Sequence, residues 1–502
     1  MSIYLCYDLK GIQQYIFQIP KLKCCIGGSR QVDSFDRNDA GKIQIPGVQM
    51  IYTGGGKGAF RCDDAASLET LKVKLISFAR EKGLTIRFGI DPDYSAAARY
   101  IKETYCYQPD TLEGHPCELS GLYPVDDARK IHPLIQQRER LGAQHGQESE
   151  TESYFLTAIR KKFKRNYNFF YNVDASSDAE GEEGAFALGN RNRWAVVCMD
   201  GNDMGLQFLA FKNQNPGDAQ WQKWLQGMSQ SLDQCTCEAA LQGMLCVTEK
   251  YEEDLKAATE YSDTLPIRPL IVGGDDITVL ISCKYAHLFV ESVIKAFQTE
   301  SRKYKQYWVG TGGELSISAG CLFAPVSLPL HSSIAYAETL LASAKTHGRD
   351  LKKGLAESAL SPACFDWESV TEGLLDSPAA RRNREFRFTD GESGNIVELT
   401  SRAYSMEEMK ELDEIRSKLQ KIPKNILYQI HPALLQPKEK RMAFYARIGK
   451  NHPVLKQGLM EPLKGEKYGS FWMVSGKVQK TRLLDALLLM QEEDRMTRET
   501  VC

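Results

Sequence analysis

The chain has 502 residues, 42% hydrophobic and 25% charged, which is too long for one ordinary core and apolar enough for roughly two to four. No apolar run approaches the ~18 residues that would cross a bilayer, and the opening Met1–Asp8 segment meets an acid too early for a secretory leader, so a cytoplasmic chain without membrane contact is expected. Fourteen cysteines without one CxxC pair exclude a zinc knuckle or a dithiol redox motif, and a net charge of −2 excludes general affinity for polyanions.

Ile3–Asp8 is strand-like, and Ile12–Leu22, with apolar residues at Ile12, Ile16 and Ile19, is predicted helical. Val48–Thr53 and Gly58–Arg61 flank the turn Gly54-Gly55-Gly56-Lys57 as a hairpin. Leu71–Lys82 reads as helix, Leu84–Ile90 as strand and Ser95–Thr104 as an Ala-rich helix. Residues 106–190 read as a connector, with a basic-aromatic stretch, Arg160–Phe170, and an acidic, Gly-rich one, Asp174 to Gly184. The first order then returns. Trp194–Met199 runs into Asp200, and Pro269–Val272 and Ile277–Cys283 flank Gly273-Gly274-Asp275-Asp276. Tyr285–Thr299 is helical, Leu315–Phe323 a strand and Ile334–Lys345 an Ala-rich helix. This repeat predicts an α+β fold with two ferredoxin-like βαββαβ units in tandem, residues 1–105 and 191–355. Beyond Leu355 strand character is lost, so 356–502 is expected to be mainly helical, with helices at Met406–Leu419 and Thr481–Glu493. Within it, Arg416–Arg482 has fifteen Lys or Arg against three acids, a net of about +12.

The second unit carries the chemistry. Asp200 ends a buried strand, and in a split-βαβ sheet that strand adjoins the hairpin of Asp275 and Asp276, so the three carboxylates converge. Clustered carboxylates with phosphate oxygens suit a hard divalent cation such as Mg²⁺ or Mn²⁺. Two such ions lower the pKa of an attacking ribose hydroxyl and stabilise a pyrophosphate leaving group. Gly273 and Gly274 supply a positive-φ turn that a nucleotide can approach. Downstream, Ala344-Lys345-Thr346-His347-Gly348-Arg349 puts two cations near a helix end, where Lys345 and Arg349 suit the phosphates of a triphosphate. A Gly-Gly-Asp-Asp turn alone is commonplace. Its agreement with a preceding strand acid and two following cations is what points to a site. In the first unit Asp8 parallels Asp200, but Gly56 and Lys57 stand where Asp275 and Asp276 stand. That copy is expected to be silent, holding an acceptor nucleotide through glycine amides such as that of Gly55 and through Lys57.

These segments resemble the large palm-domain polymerase-cyclase subunit of type III CRISPR effector complexes and, more distantly, the GGDEF diguanylate cyclases. The resemblance lies in Asp200-Gly201-Asn202-Asp203-Met204-Gly205, the Gly273–Asp276 hairpin, Ser316-Ile317-Ser318-Ala319-Gly320 and Ala344–Arg349. Asp8–Phe17 and Gly27-Gly28-Ser29 are similar to that subunit's first palm. The resemblance implies synthesis of second-messenger adenylates from ATP in antiviral defence. It implies metal on Asp200, Asp275 and Asp276, nucleotide against Gly201, Gly273 and Gly274, and phosphates on Lys345 and Arg349. RNA or guide-RNA complex subunits would be partners. A subunit that binds nucleotide without turnover is the alternative.

Departures from the family pattern are specific. No His-Asp dipeptide occurs, so the HD nuclease activity of many members is expected to be absent. The usual Asp-Gly-Asp-Asn reads Asp-Gly-Asn-Asp, and Asp203 either replaces the acid missing at Asn202 as a metal ligand or caps the next helix. Where the family carries a zinc ribbon, Cys117-Glu118-Leu119-Ser120 has lost a cysteine; Cys106, His115 and Cys117 are expected to be structural without metal. Tyr428, Phe444, Tyr445, Tyr468, Phe471 and Trp472 interleave the basic C-terminal segment, which suits either RNA or a solvated helical surface over an aromatic core.

Overall fold

The computed structural model describes residues 2–99, 101–105, 115–121, 124–125, 130–143, 148–171, 193–259, 261–354, 359–371, 376–391, 394–436, 438–452 and 472–494. The Asp174–Gly184 stretch, Cys106, Tyr468 and Phe471 lie outside them.

Two sheets dominate the molecule. The first runs in the order Val48–Gly54, Lys57–Cys62, Ile3–Leu9, Ile86–Asp91, Glu103–Tyr105. The second runs Ile267–Gly273, Asp276–Ile281, Arg193–Gly201, Ile317–Pro325, Cys364–Ser369, Tyr404–Ser405. The leading four strands of each sheet follow the same order, second-third-first-fourth along their own segment, with antiparallel neighbours. Central position explains the composition of Arg193–Gly201: Trp194 to Met199 are all buried, as a strand covered on both faces requires.

Helices begin where their caps place them. Asp64 accepts from the Ser67 amide and opens Ala65–Glu81, six residues before the expected start at Leu71, with Leu71, Leu75 and Ala79 turned into the core. The helix expected over Ile12–Leu22 is two, Ile12–Phe17 and Leu22–Ser34, because Pro20 disfavours helical geometry just before it. The second continues into a π-helix, Phe35–Ala40. Gly27 and Gly28 therefore lie inside a helix. A Cβ on Gly27 would fall 1.9 Å from the Arg138 carbonyl of Pro133–Ala143, so glycine permits close helix packing there. The Ala-rich helix ends at Arg99, and Glu103–Tyr105 turns back as an edge strand.

A helix of 41 residues, Asp218–Ala258, fills the helical place between Asp200 and the second hairpin, for which the sequence marked no bounds, and packs along Cys283–Ser301. The mainly helical reading of 356–502 is corrected. Strand character continues past Leu355: Cys364–Ser369 pairs in parallel with Ile317–Pro325, and four short strands, Arg387–Thr389, Ile396–Glu398, Trp472–Ser475 and Val478–Thr481, form a further sheet. Helices do close the chain, at Met406–Leu419 and Leu483–Asp494.

The basic-aromatic stretch turns its aromatic end inward and leaves Lys161, Lys162 and Lys164 exposed. Tyr167, Phe169 and Phe170 are buried, Arg160 donates to the Tyr167 carbonyl, and Arg165 pairs with Glu252 of the long helix. In the C-terminal segment Tyr445 and Trp472 are buried and Tyr428 is exposed, while Arg416 and Arg482 pair with Glu493 and Glu411. Cys117 is buried with Ile19, Cys24 and Ile135. Among the described residues no helix is long and apolar enough to cross a membrane.

Candidate active site

Strand register assembles the site. Asp200, next to last in Arg193–Gly201, lies opposite Asp276 on one neighbouring strand and Ser318 on the other. Directly opposed residues share a face of the sheet, so Asp200 and Asp276 project together. Gly274 turns the hairpin at φ 61°, in the left-handed region; Gly273 does not, which corrects the expectation that both supply positive φ. Gly201 sits against the hairpin: its amide donates to the Asp275 carbonyl at 3.2 Å, and a Cβ there would lie 3.1 Å from the Asp275 Cβ.

The hairpin separates two spaces. On one side is a cavity of about 350 Å³ lined by Asp200, Gly201, Asp203, Asp275, Lys345 and Arg349. On the other is a cleft of about 830 Å³ between the two sheets, bordered by Gly273, Gly274 and Asp276 on one wall and by Asp8, Gly55 and Lys57 on the other. Enclosure pushes both hairpin carboxyls up, and Asp275 adds to the effect on Asp276, which opens to water in the cleft. Lys57, across the cleft, acts in the opposite sense on both. The first sheet's lysine thus contributes to the electrostatics of the second sheet's acids.

Helix Leu330–Lys352 supplies the cations. Lys345 forms an ion pair with Asp200 and donates to the Gly201 carbonyl at 2.9 Å. Burial lowers its ammonium pKa to about 8, with neighbouring Arg349 acting in the same direction. Arg349, one turn on, is exposed on the cavity rim and donates to the Lys345 carbonyl. Two turns before Lys345, Glu338 is half-buried, and burial together with Asp276 pushes its carboxyl up.

Asp203 takes neither expected role cleanly. It sits at the N-cap of Met204–Lys212 but makes no capping bond with its side chain. One carboxylate oxygen accepts from the Ser361 amide at 2.8 Å and pairs with Lys352 at 3.0 Å, which directs it to the loop after the helix. Buried Asn202 donates to the Ser316 hydroxyl at 3.0 Å and toward the Ser361 and Pro362 carbonyls, binding the same loop.

The expected convergence of three carboxylates is corrected: Asp200 and Asp275 line the smaller cavity and Asp276 faces the cleft, although the donors still fit a divalent cation in kind. Among the described residues no three His, Cys, Asp or Glu converge as a ready cage. Mg²⁺ is typically held by one or two carboxylates with substrate phosphates completing the shell, so an incomplete protein cage suits it.

The first sheet presents the contrast. Asp8 lies opposite Lys57 on one side and Arg87 on the other, and Arg87 pairs with it. Both aspartates are ion-paired, but Asp8 takes its cation from the neighbouring strand, whereas Asp200 stands between an acid and a hydroxyl on its strands and takes Lys345 from a helix. Arg87, Glu338 and Ser361 carry no local motif. Ser318 lies within Ser316–Gly320, but only register places it beside Asp200, as register places Arg87 beside Asp8.

Residues 193–352 match the family model of the Cas10/Cmr2 second palm domain. No curated protein matches. Among solved structures the chain is similar to Csm1 of T.onnurineus, at 12% identity over 98% of this chain and 69% of that one, TM-score 0.53. Also similar are a Csm1–Csm4 cassette in complex with pppApApA, at 12% identity, 98% and 69% coverage and TM-score 0.48, and one in complex with cA4, at 14%, 89% and 64%, TM-score 0.46. The chain spans 64% of that last protein's length.

Proposed function

Because residues 193–352 form a Cas10/Cmr2-like second palm, we propose that the chain is a palm-type nucleotidyltransferase that joins ATP into second-messenger adenylates within type III CRISPR defence. We read the two sheets as tandem ferredoxin-like palms, the first retired from catalysis. The observation that carries this is the asymmetry between two hairpins that face one cleft: Asp276, with Asp200 and Asp275 behind it on the smaller cavity, on one wall, and Gly55 and Lys57 on the facing one. A cleft of about 830 Å³ is within the usual size of nucleotide-scale sites.

In this mechanism Lys345 and Arg349 bind the phosphates of the donor ATP. Drawing Lys345 onto phosphate releases Asp200 from its ion pair. Asp200, Asp275 and Asp276 would hold Mg²⁺ or Mn²⁺, which supplies activation of the attacking hydroxyl and charge neutralisation of the leaving group. Lys57 and the Gly55 turn orient the acceptor nucleotide, whose ribose hydroxyl attacks the donor α-phosphorus. The new bond is P–O, its proton passes to solvent, and pyrophosphate leaves. Purified protein with labelled ATP and Mg²⁺ or Mn²⁺, with and without RNA, should give oligoadenylate and pyrophosphate. Absence of both under every condition, with ATP still bound, would favour the second reading.

That reading is a nucleotide-binding subunit without turnover. The Lys345–Asp200 ion pair favours it, since it commits one of the three acids to a cation of the protein itself.

A further inference from the structure

Both glycine hairpins are tied down by the same device. In the first sheet the Gly56 amide donates to Asp36 Oδ2 at 2.7 Å, and the Tyr7 hydroxyl donates to Oδ1 at 3.2 Å. In the second, the Gly274 amide donates to Asp233 Oδ1 at 3.2 Å, and the Thr236 hydroxyl donates to the Gly274 carbonyl at 2.6 Å. Neither carboxylate comes from a strand. Asp36 belongs to the π-helix Phe35–Ala40, and Asp233 to the long helix Asp218–Ala258.

The two ties are joined. Arg37, next to Asp36, donates to Asp233 Oδ2 at 3.4 Å and to Asp33 Oδ1 at 2.9 Å. Asp233 therefore gives one oxygen to its own hairpin and the other to a cation from the facing half. Consecutive helical residues point about 100° apart, so Asp36 and Arg37 reach different halves from one short segment. The path runs from the Gly274 amide through Asp233, Arg37 and Asp36 to the Gly56 amide. Each turn is followed at once by a side chain of the cleft, Asp276 one residue on from Asp275 after Gly274 and Lys57 directly after Gly56, while Asp275 lines the smaller cavity.

We propose that Asp36, Arg37 and Asp233 are positioning residues that couple the two hairpins, so that the placement of Lys57 relative to Asp275 and Asp276 is set as one unit. The functional meaning of this coupling rests on the nucleotidyltransferase reading above; the mechanical coupling does not. A hydrogen bond to a charged group holds a turn against local opening, so its loss should speed amide exchange there.

The test is hydrogen exchange of the full chain, followed in peptides covering residues 53–58 and 272–277, for Arg37→Ala, Asp233→Ala, Asp233→Asn and Arg37→Lys. Asp233→Ala should speed exchange at its own turn roughly tenfold, the factor expected for one lost charged hydrogen bond. Coupling predicts that it also speeds the Gly56 turn, and that Arg37→Ala, which touches neither amide, speeds both. Asp233→Asn keeps an acceptor for Gly274 but loses the charge that faces Arg37, so it should speed both turns as Arg37→Ala does, and its own turn less than Asp233→Ala does. Arg37→Lys should restore protection in part. Effects confined to the mutated residue's own turn, or none from Arg37→Ala, overturn the proposal. ATP turnover in the same variants separates the two ideas. A wild-type chain that makes no product defeats the proposed function, and the exchange data still decide the coupling.

Discussion

At the scale of single residues, the second sheet differs from the first by what flanks one aspartate. Asp8 lies between Lys57 and Arg87, Asp200 between Asp276 and Ser318. Asp275→Ala combined with Asp276→Ala should abolish product formation while leaving thermal stability unchanged or raised, because enclosed neighbouring carboxylates repel one another. More than trace activity with this pair removed would show that the acids are misassigned. Lys345 is argued to exchange Asp200 for phosphate. Lys345→Ala should therefore weaken ATP far more than AMP, by ~1.5–3 kcal/mol for a lost charge-assisted contact. Equal weakening of the two ligands in calorimetric titrations would mark Lys345 as a packing residue instead. The acids, Lys345 and Lys57 were legible because turn chemistry and strand ends leave local marks. Arg87, Glu338 and Asp233 were not, since each acquires its meaning from a partner distant in sequence.

At the scale of elements, the repeat was legible from alternating apolar segments around two glycine turns. The 41-residue helix Asp218–Ala258 was missed, since its mixed polar and apolar faces give it no dominant apolar stripe. The break after Phe17 follows from Pro20 and could have been read. The π-helix could not, and it carries a testable carboxyl. Burial raises Asp36 to about 7 although the Gly56 amide and Tyr7 hydroxyl favour its charged form; Asp33 raises it further and Arg37 lowers it. An acid whose folded pKa exceeds its unfolded value near 3.9 binds more protons in the folded state. Its contribution to stability is full below about pH 4 and lost as pH rises through about 7. In Asp36→Asn the amide nitrogen can face Tyr7 while the oxygen keeps Gly56. The stability of this variant relative to wild type should rise between pH 5 and 7 and level off above. A difference that stays flat across urea titrations in that range would mean Asp36 is already ionised at pH 5.

At the scale of the whole molecule, the C-terminal third is built into the second sheet. Arg193 donates to the Phe323 and Val370 carbonyls and pairs with Glu492, both side chains being buried. Asp485, fully buried, accepts from Thr400, the Ser401 amide and Tyr404 and pairs with Arg402. Leaving one member of a buried pair unmatched costs about 3–5 kcal/mol, so Glu492→Ala should lower stability on that order, measurable by denaturant unfolding. A change below ~1 kcal/mol would mean the surface end of the helix relaxes to water. The parallel strand Cys364–Ser369 covers the edge of Ile317–Pro325, and its Asp366 and Glu368 find their counter-charge on Arg382 and Arg402. The stretch that matches the family model, 193–352, therefore shares a strand edge and a buried ion pair with residues beyond it. Likeness can be traced through the matched segment by itself, but exchange of that segment between lineages would have had to carry its C-terminal companion along, or leave an open sheet edge and Arg193 parted from Glu492.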